Sequence, residues 1–99
     1  MKEEMARELS TVLAKAREYS ELQILLEGLL TPQELQEIGV RWQLMQELLN
    51  GRTQRDIAAT LGISLGKIAR GSRLLQYGSP EFRQLAERIN KDLEHEQSK

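Results

Sequence analysis

Residues 53–75 read TQRDIAATLGISLGKIARGSRLL, and this run constrains the fold more than any other part of the chain. Thr53 is placed to cap a helix, and Asp56 three residues later forms a capping-box-like pair with it. Ala58 is small where a second helix must cross closely. Gly62 supplies the positive φ that a tight turn requires. Ile63 and Ile68 are the apolar pegs between the two helices, and the second helix, Leu65 to Leu75, carries Lys67, Arg70 and Arg73. This is the layout of a helix-turn-helix, whose second helix enters a DNA major groove.

The overall charge of −1 argues against a polyanion partner until it is resolved along the chain. Residues 1–40 hold four basic and eight acidic groups, whereas residues 41–73 hold six basic and two acidic ones. Positive charge is thus concentrated on the suspected reading element, and a phosphate backbone responds to that local field. A chain of 99 residues implies a single helical domain over 1–99. Within it, 1–50 is expected to serve mainly as a dimerisation core, 53–75 as the helix-turn-helix and 80–95 as a C-terminal dimer helix. Cys is absent, which excludes a disulfide framework and thiolate metal sites and suits a cytoplasmic location. No apolar run reaches bilayer length, and the opening MKEEMARELS is too charged for a signal peptide, so no membrane partner is expected.

The remaining punctuation is helical throughout. Met5, Leu9, Val12, Leu13 and Ala16 predict a first helix over roughly Lys2 to Tyr19. Leu22, Ile24, Leu25, Leu26, Leu29 and Leu30 form a dense apolar segment interrupted at Gly28. Thr31-Pro32-Gln33-Glu34 is a helix start, with Thr as N-cap, Pro at the first helical position and Glu two residues later. The spacing predicts a short helix ending near Gly39 and another from Val40 to Asn50, stopped by Gly51. Gly78 closes the reading helix. Ser79-Pro80-Glu81 then opens a last helix with Phe82, Leu85, Ile89 and Leu93 on one stripe, fraying from His95 onward. The fold class expected is all-α, with about six short helices. Helices this short bury little area, so the leucine-rich segment and the first helix are expected to pack against a second copy. A helix-turn-helix also pairs its reading helices about 34 Å apart across a two-fold axis. Both arguments favour a homodimer.

LLTPQELQEIGVRWQLMQELLNG, followed by TQRDIAATLG and IARGS, resembles the tryptophan repressor family over roughly Leu25 to Leu85. The shared elements are the LTP helix start, the GxR element (Gly39, Arg41), the ELL-x-G helix end, the TQR opening and the RGS of the reading helix. The resemblance implies an intertwined all-helical homodimer that represses transcription from a double-stranded DNA operator when L-tryptophan binds as co-repressor, with no other cofactor. It implies an indole held between Arg41 and Arg70, since guanidinium planes stack on aromatic faces and can also grip a carboxylate. Thr31, with carbonyls around Gly28 and Leu30 of the partner subunit, matches the place where the ligand ammonium is held. Met45 and Gly71 match positions lining the pocket. The DNA-facing set is Gln54, Arg55, Ser64, Leu65, Gly66, Lys67, Ala69 and Arg73.

Three departures accompany the likeness. Leu74 stands where the family usually has a ligand-holding serine. The loop from Gly51 to Thr53 is one residue shorter, and Leu65, Gly66, Lys67 and Ala69 differ from the usual base-facing set, so no operator sequence carries over. Two alternatives follow: a regulator of the same fold that is effector-independent or answers to another small molecule, and a helical dimerisation module that binds only protein. The cationic middle segment speaks against the second. Neither a nucleophile–base pair nor a cluster of metal ligands stands out, so no catalytic or metal site is expected. Trp42, Met45, Leu44, Leu48 and Leu49 are read as core from the residues themselves, and Glu34 or Glu37 is the surface ion-pair partner that Arg41 would otherwise have.

Overall fold

A computed structural model describes residues 2–97, and these form six α-helices with no strand among them. They are α1 (Lys2–Ala14), α2 (Tyr19–Leu29), α3 (Pro32–Leu49), α4 (Gln54–Leu61), α5 (Leu65–Tyr77) and α6 (Pro80–Gln97). The chain divides into two compact units, one up to Glu37 and one from Ile38 onward.

In the first unit, α1 stops at Ala14 rather than at Tyr19. No Gly or Pro marks this break. It is secured locally, with Ala16 N–H donating to the Leu13 carbonyl (3.2 Å) and Arg17 N–H to the Glu21 carboxylate (2.7 Å). α2 then runs straight through Gly28, because a helix tolerates one glycine at about 1 kcal/mol when its neighbours propagate it. Neither helix buries a residue within this chain. Met5, Leu9, Val12 and Leu29 are exposed, and Ile24 is 70% exposed.

The start of α3 is a complete capping box. Thr31 Oγ1 accepts from Glu34 N–H (3.1 Å), and Thr31 N–H donates back to Glu34 Oε1 (2.9 Å). Hydrogen bonding to the carboxylate from the Thr31 backbone N–H first, and from the Thr31 hydroxyl second, holds the Glu34 carboxyl below the usual glutamate range. A group depressed in the folded state adds stability above its unfolded pKa and loses it as pH falls through the folded value. In a carbon-detected NMR titration the Glu34 side chain is therefore expected to show a midpoint below that of the other exposed glutamates. Glu34→Gln should flatten that part of the acid limb of the stability curve.

α3 does not stop at Gly39. One 18-residue helix replaces the two short ones expected. Gly39 meets no neighbour within 4 Å of a Cβ position, so nothing forces the chain out of helical geometry there. The penalty of about 1 kcal/mol is outweighed by an uninterrupted ladder on both sides.

The second unit is built around Ile57 of α4 and Ile68 of α5, both fully buried, with Leu44 of α3 against them. Leu48, Ala58, Leu61 and Ile63 complete this cluster. The expected pegs Ile63 and Ile68 are therefore in place. α5 crosses α3 at Gly71, where a Cβ would stand 2.8 Å from Leu44 Cδ2 and 3.4 Å from its Cγ. That close approach explains a glycine deep inside a helix. Gly71→Ala gains about 1 kcal/mol of helix propensity but must displace a buried leucine at about 1–3 kcal/mol. A net loss of about 1 kcal/mol is expected in urea denaturation. Gly66→Ala is the control: its Cβ meets only Ser64 Oγ, at 3.9 Å, so stability should rise by a few tenths.

α6 packs on α5, and of the expected stripe Ile89 and Leu93 are half-buried. Ala86 and Asn90 are its buried residues, while Phe82 and Leu85 are exposed in this chain. Asn90 is a polar node. Its Nδ2 donates to Asn50 Oδ1 (2.8 Å), and its Oδ1 accepts from Gln46 Nε2 (3.5 Å), tying α6 to the end of α3. α6 also stays helical through His95 to Gln97. No helix among the described residues is long and apolar enough to cross a membrane.

Candidate nucleic-acid interface

The two helices expected to read DNA begin in the same way. Thr53, extended at φ −72° and ψ 154°, accepts from Asp56 N–H through its hydroxyl (3.1 Å). Ser64, at φ −72° and ψ 150°, accepts from Lys67 N–H (3.2 Å). The capping box expected at Thr53 is only half formed, since no bond returns from Thr53 N–H to Asp56 among the described residues. Asp is one methylene shorter than the Glu that closes the box at Thr31. Between the helices, Gly62 adopts φ 66° and ψ 32°, the left-handed turn its position requires, and its N–H donates to the Ala58 carbonyl (2.9 Å).

Acidic residues occupy the first turn of α1, α2, α3, α4 and α6, as suits the positive end of a helix dipole. α5 has none in its first turn. Its opening face, Ser64, Leu65, Gly66 and Lys67, is exposed, and Ala69 is half-buried. Gln54 and Arg55 are exposed at the start of α4, and Arg73 is exposed further along α5. Every residue assigned to DNA thus lies on the helix-turn-helix, and none of them sits in its core. Arg55, Lys67, Arg70 and Arg73 form no ion pair among the described residues.

Arg52 behaves differently from the other cations of this segment. Its Nη1 pairs with Glu47 Oε2 (3.0 Å) and its Nη2 donates to Thr60 Oγ1 (3.4 Å), so it ties the end of α3 to α4. The cationic excess read from composition is smaller at the surface that faces outward. The missed signal was Glu47, five residues earlier, across a turn that brings it back.

The residues matched to a ligand fall into two groups. In the second unit, Arg41 precedes Leu44 by one helical turn on α3, and Arg70 immediately precedes Gly71 on α5. The Leu44–Gly71 crossing therefore carries one exposed arginine on each helix. Arg41 makes no ion pair with Glu34 or Glu37. Met45 is buried in the core. Leu74 is 48% exposed and does not fill the interior. In the first unit, Thr31 is the N-cap of α3 and keeps one hydroxyl lone pair beyond the one used by Glu34 N–H. Leu30 caps α2, its N–H donating to the Leu26 carbonyl (3.0 Å), and Gly28 lies in the final turn of α2, where carbonyls lack intrahelical partners.

A family model described as Trp repressor protein matches residues 4–90. The chain belongs to the Trp repressor protein family. Its relatives include proteins named Trp operon repressor homolog from three bacteria. That of Pasteurella multocida (strain Pm70) is 37% identical, covering 85% of this chain and 84% of its own. That of Mannheimia succiniciproducens is 38% identical, covering 74% of this chain and 73% of its own. That of Xylella fastidiosa (strain M23) is 37% identical over 69% of this chain and 75% of its own. The match runs through α1 to most of α6, so it takes in the half-capped helices, the Gly71 crossing and the Asn90 node alike. The Trp repressor family is regulatory rather than enzymatic. Transcriptional repression is accordingly the function class of this chain.

Proposed function

We propose that this chain is a homodimeric DNA-binding repressor that takes L-tryptophan as co-repressor. The observation that carries the DNA reading is α5 itself. It is seated on a fully buried core through Ile68, opens without an acidic residue and presents Lys67 and Arg73 without intramolecular partners. Such a helix offers amide groups and cations to phosphate while its base-facing side chains enter a groove.

Dimerisation follows from what α1 and α2 leave uncovered. Met5, Leu9, Val12, Ile24 and Leu29 are exposed on helices with no buried residue. A helical face of this kind is stable when a second copy covers it.

The effector reading rests on Arg41 and Arg70 beside the α3–α5 crossing. Two guanidinium groups can sandwich an indole, and one can also bind its carboxylate. A ligand wedged there would favour one angle of α5 on α3, and its differential affinity for that angle is the switch. Thr31 and the Gly28 and Leu30 carbonyls of the partner subunit would accept from its ammonium.

Calorimetry with L-tryptophan tests this directly. Binding is expected for the unmodified protein and lost in Arg70→Ala, with tryptophan-enhanced duplex binding lost in parallel. No heat at millimolar ligand removes tryptophan from the reading. Leu74, an apolar side chain where the family commonly has a hydroxyl, favours a second reading in which another small molecule is the effector. A thermal-shift screen across the twenty amino acids would identify it, since a native-state ligand raises the melting temperature by mass action.

A further inference from the structure

The carboxyl end of α5 is held by a residue that belongs to neither reading helix. α5 has no basic residue in its own last turn, where a helix dipole favours a cation. Arg83, in the first turn and a half of α6, supplies one. Its Nη1 donates to the Leu75 carbonyl (3.2 Å), one of the α5 end groups without an intrahelical partner. Leu75 is itself buried, so water is a poor substitute for that donor. The Arg83 Nε–H is meanwhile fixed by Glu87 Oε1 at 2.8 Å, one turn along α6. A single planar guanidinium thus joins two helices, with one edge on a carboxylate and another on a backbone carbonyl. The carboxylate pair alone, nearly half exposed on both sides, would contribute little. Its effect is to aim the guanidinium.

We infer that Arg83 is a positioning residue for DNA recognition, fixing the orientation of α5 without contacting DNA. The inference rests on the reading of α5 as the recognition helix. α5 is clamped at mid-length by the Gly71–Leu44 notch and at its end by Arg83. Rotation about the notch moves the exposed Leu65–Lys67 end, and the Arg83 bond opposes that rotation. Releasing it leaves every phosphate-facing cation in place but spreads their directions, which affects the fit to a chosen sequence more than attraction to any duplex.

The test uses the full chain and a duplex selected from a random library by the unmodified protein, beside an unselected duplex. Fluorescence anisotropy measures binding to both over a salt series, at a temperature where each variant is shown by its melt to be folded. Arg83→Ala is expected to bind the selected duplex about tenfold more weakly, the scale of a lost charged hydrogen bond. The ratio of selected to unselected affinity should fall by a similar factor, with the log–log salt slope unchanged. Arg83→Lys, which keeps the charge but cannot span both partners, should fall between. Glu87→Ala, which leaves Arg83 in place but unaimed, should move the ratio the same way by less, and it serves if Arg83→Ala does not fold. A lowered melting temperature with an unchanged ratio makes Arg83 merely structural and overturns the inference. A slope shallower by about 0.9 per protomer makes it a phosphate contact and also overturns it. If the unmodified protein binds no duplex in a salt-dependent manner, the DNA reading itself fails and the inference falls with it.

Discussion

Ile68→Ala and Ile57→Ala are each expected to destabilise the protein by about 2–5 kcal/mol, the largest stability losses available in this chain. Both side chains are fully buried, and each sits on one helix of the pair that forms the reading element. Truncation removes apolar contacts and leaves a space that Leu44 and Ile63 can only partly fill, because Leu44 is already held in the Gly71 notch. At roughly 4–8 °C per kcal/mol for a chain of this size, the melting temperature should fall by about 10 °C or more. Ile68→Val, which deletes one methyl group, should cost only about 0.5–1.5 kcal/mol. Thermal melts at fixed protein concentration provide the comparison, since a dimer melts in a concentration-dependent manner. A small loss at either isoleucine would mean that the core lies elsewhere.

A steep dependence of duplex binding on salt is the second large effect expected. Arg55, Lys67 and Arg73 are exposed and without ion pairs, so a dimer would bring six cations to the phosphates. Six contacts give a log–log slope near about −5, and raising salt from about 50 to 200 mM should weaken binding by roughly 10³. Lys67→Ala should make the slope shallower by about 0.9 for each protomer bound. Arg52→Ala should leave the slope where it is while lowering stability, because that guanidinium is engaged with Glu47 and Thr60.

The reading element was legible because its constraints are local. A hydroxyl before a helix, a glycine at a left-handed turn and two isoleucines at fixed offsets each act over a few residues. Their positions at Thr53, Gly62, Ile63 and Ile68 follow from sequence order alone. Gly39 misled for the same reason. Its intrinsic cost is local, whereas the continuity of α3 reflects the whole ladder on either side and the burial of Leu44 and Met45. The break after Ala14 escaped notice because a Glu21 side chain, rather than Gly or Pro, stabilises it. On α6 the apolar stripe drew attention to Phe82 and Leu85. The most complete burial fell instead on Ala86 and on Asn90, whose two amide partners, Asn50 and Gln46, lie 40 and 44 positions away. Arg52 and Arg83 likewise look like two more surface charges until folding shows what each one touches. The candidate ligand residues were accessible only through likeness to a family, since nothing local distinguishes Arg41 from any other helical arginine.

The unequal starts of α4 and α5 give the motif a heads-and-tails sense toward a polyanion. Asp56 puts a carboxylate in the first turn of α4, so a sugar–phosphate strand approaching that end meets a like charge beside the Arg55 side chain. α5 carries no acidic residue in its first turn. A duplex presented the wrong way round would set its charge against a carboxylate, and this bias acts before a single base is read.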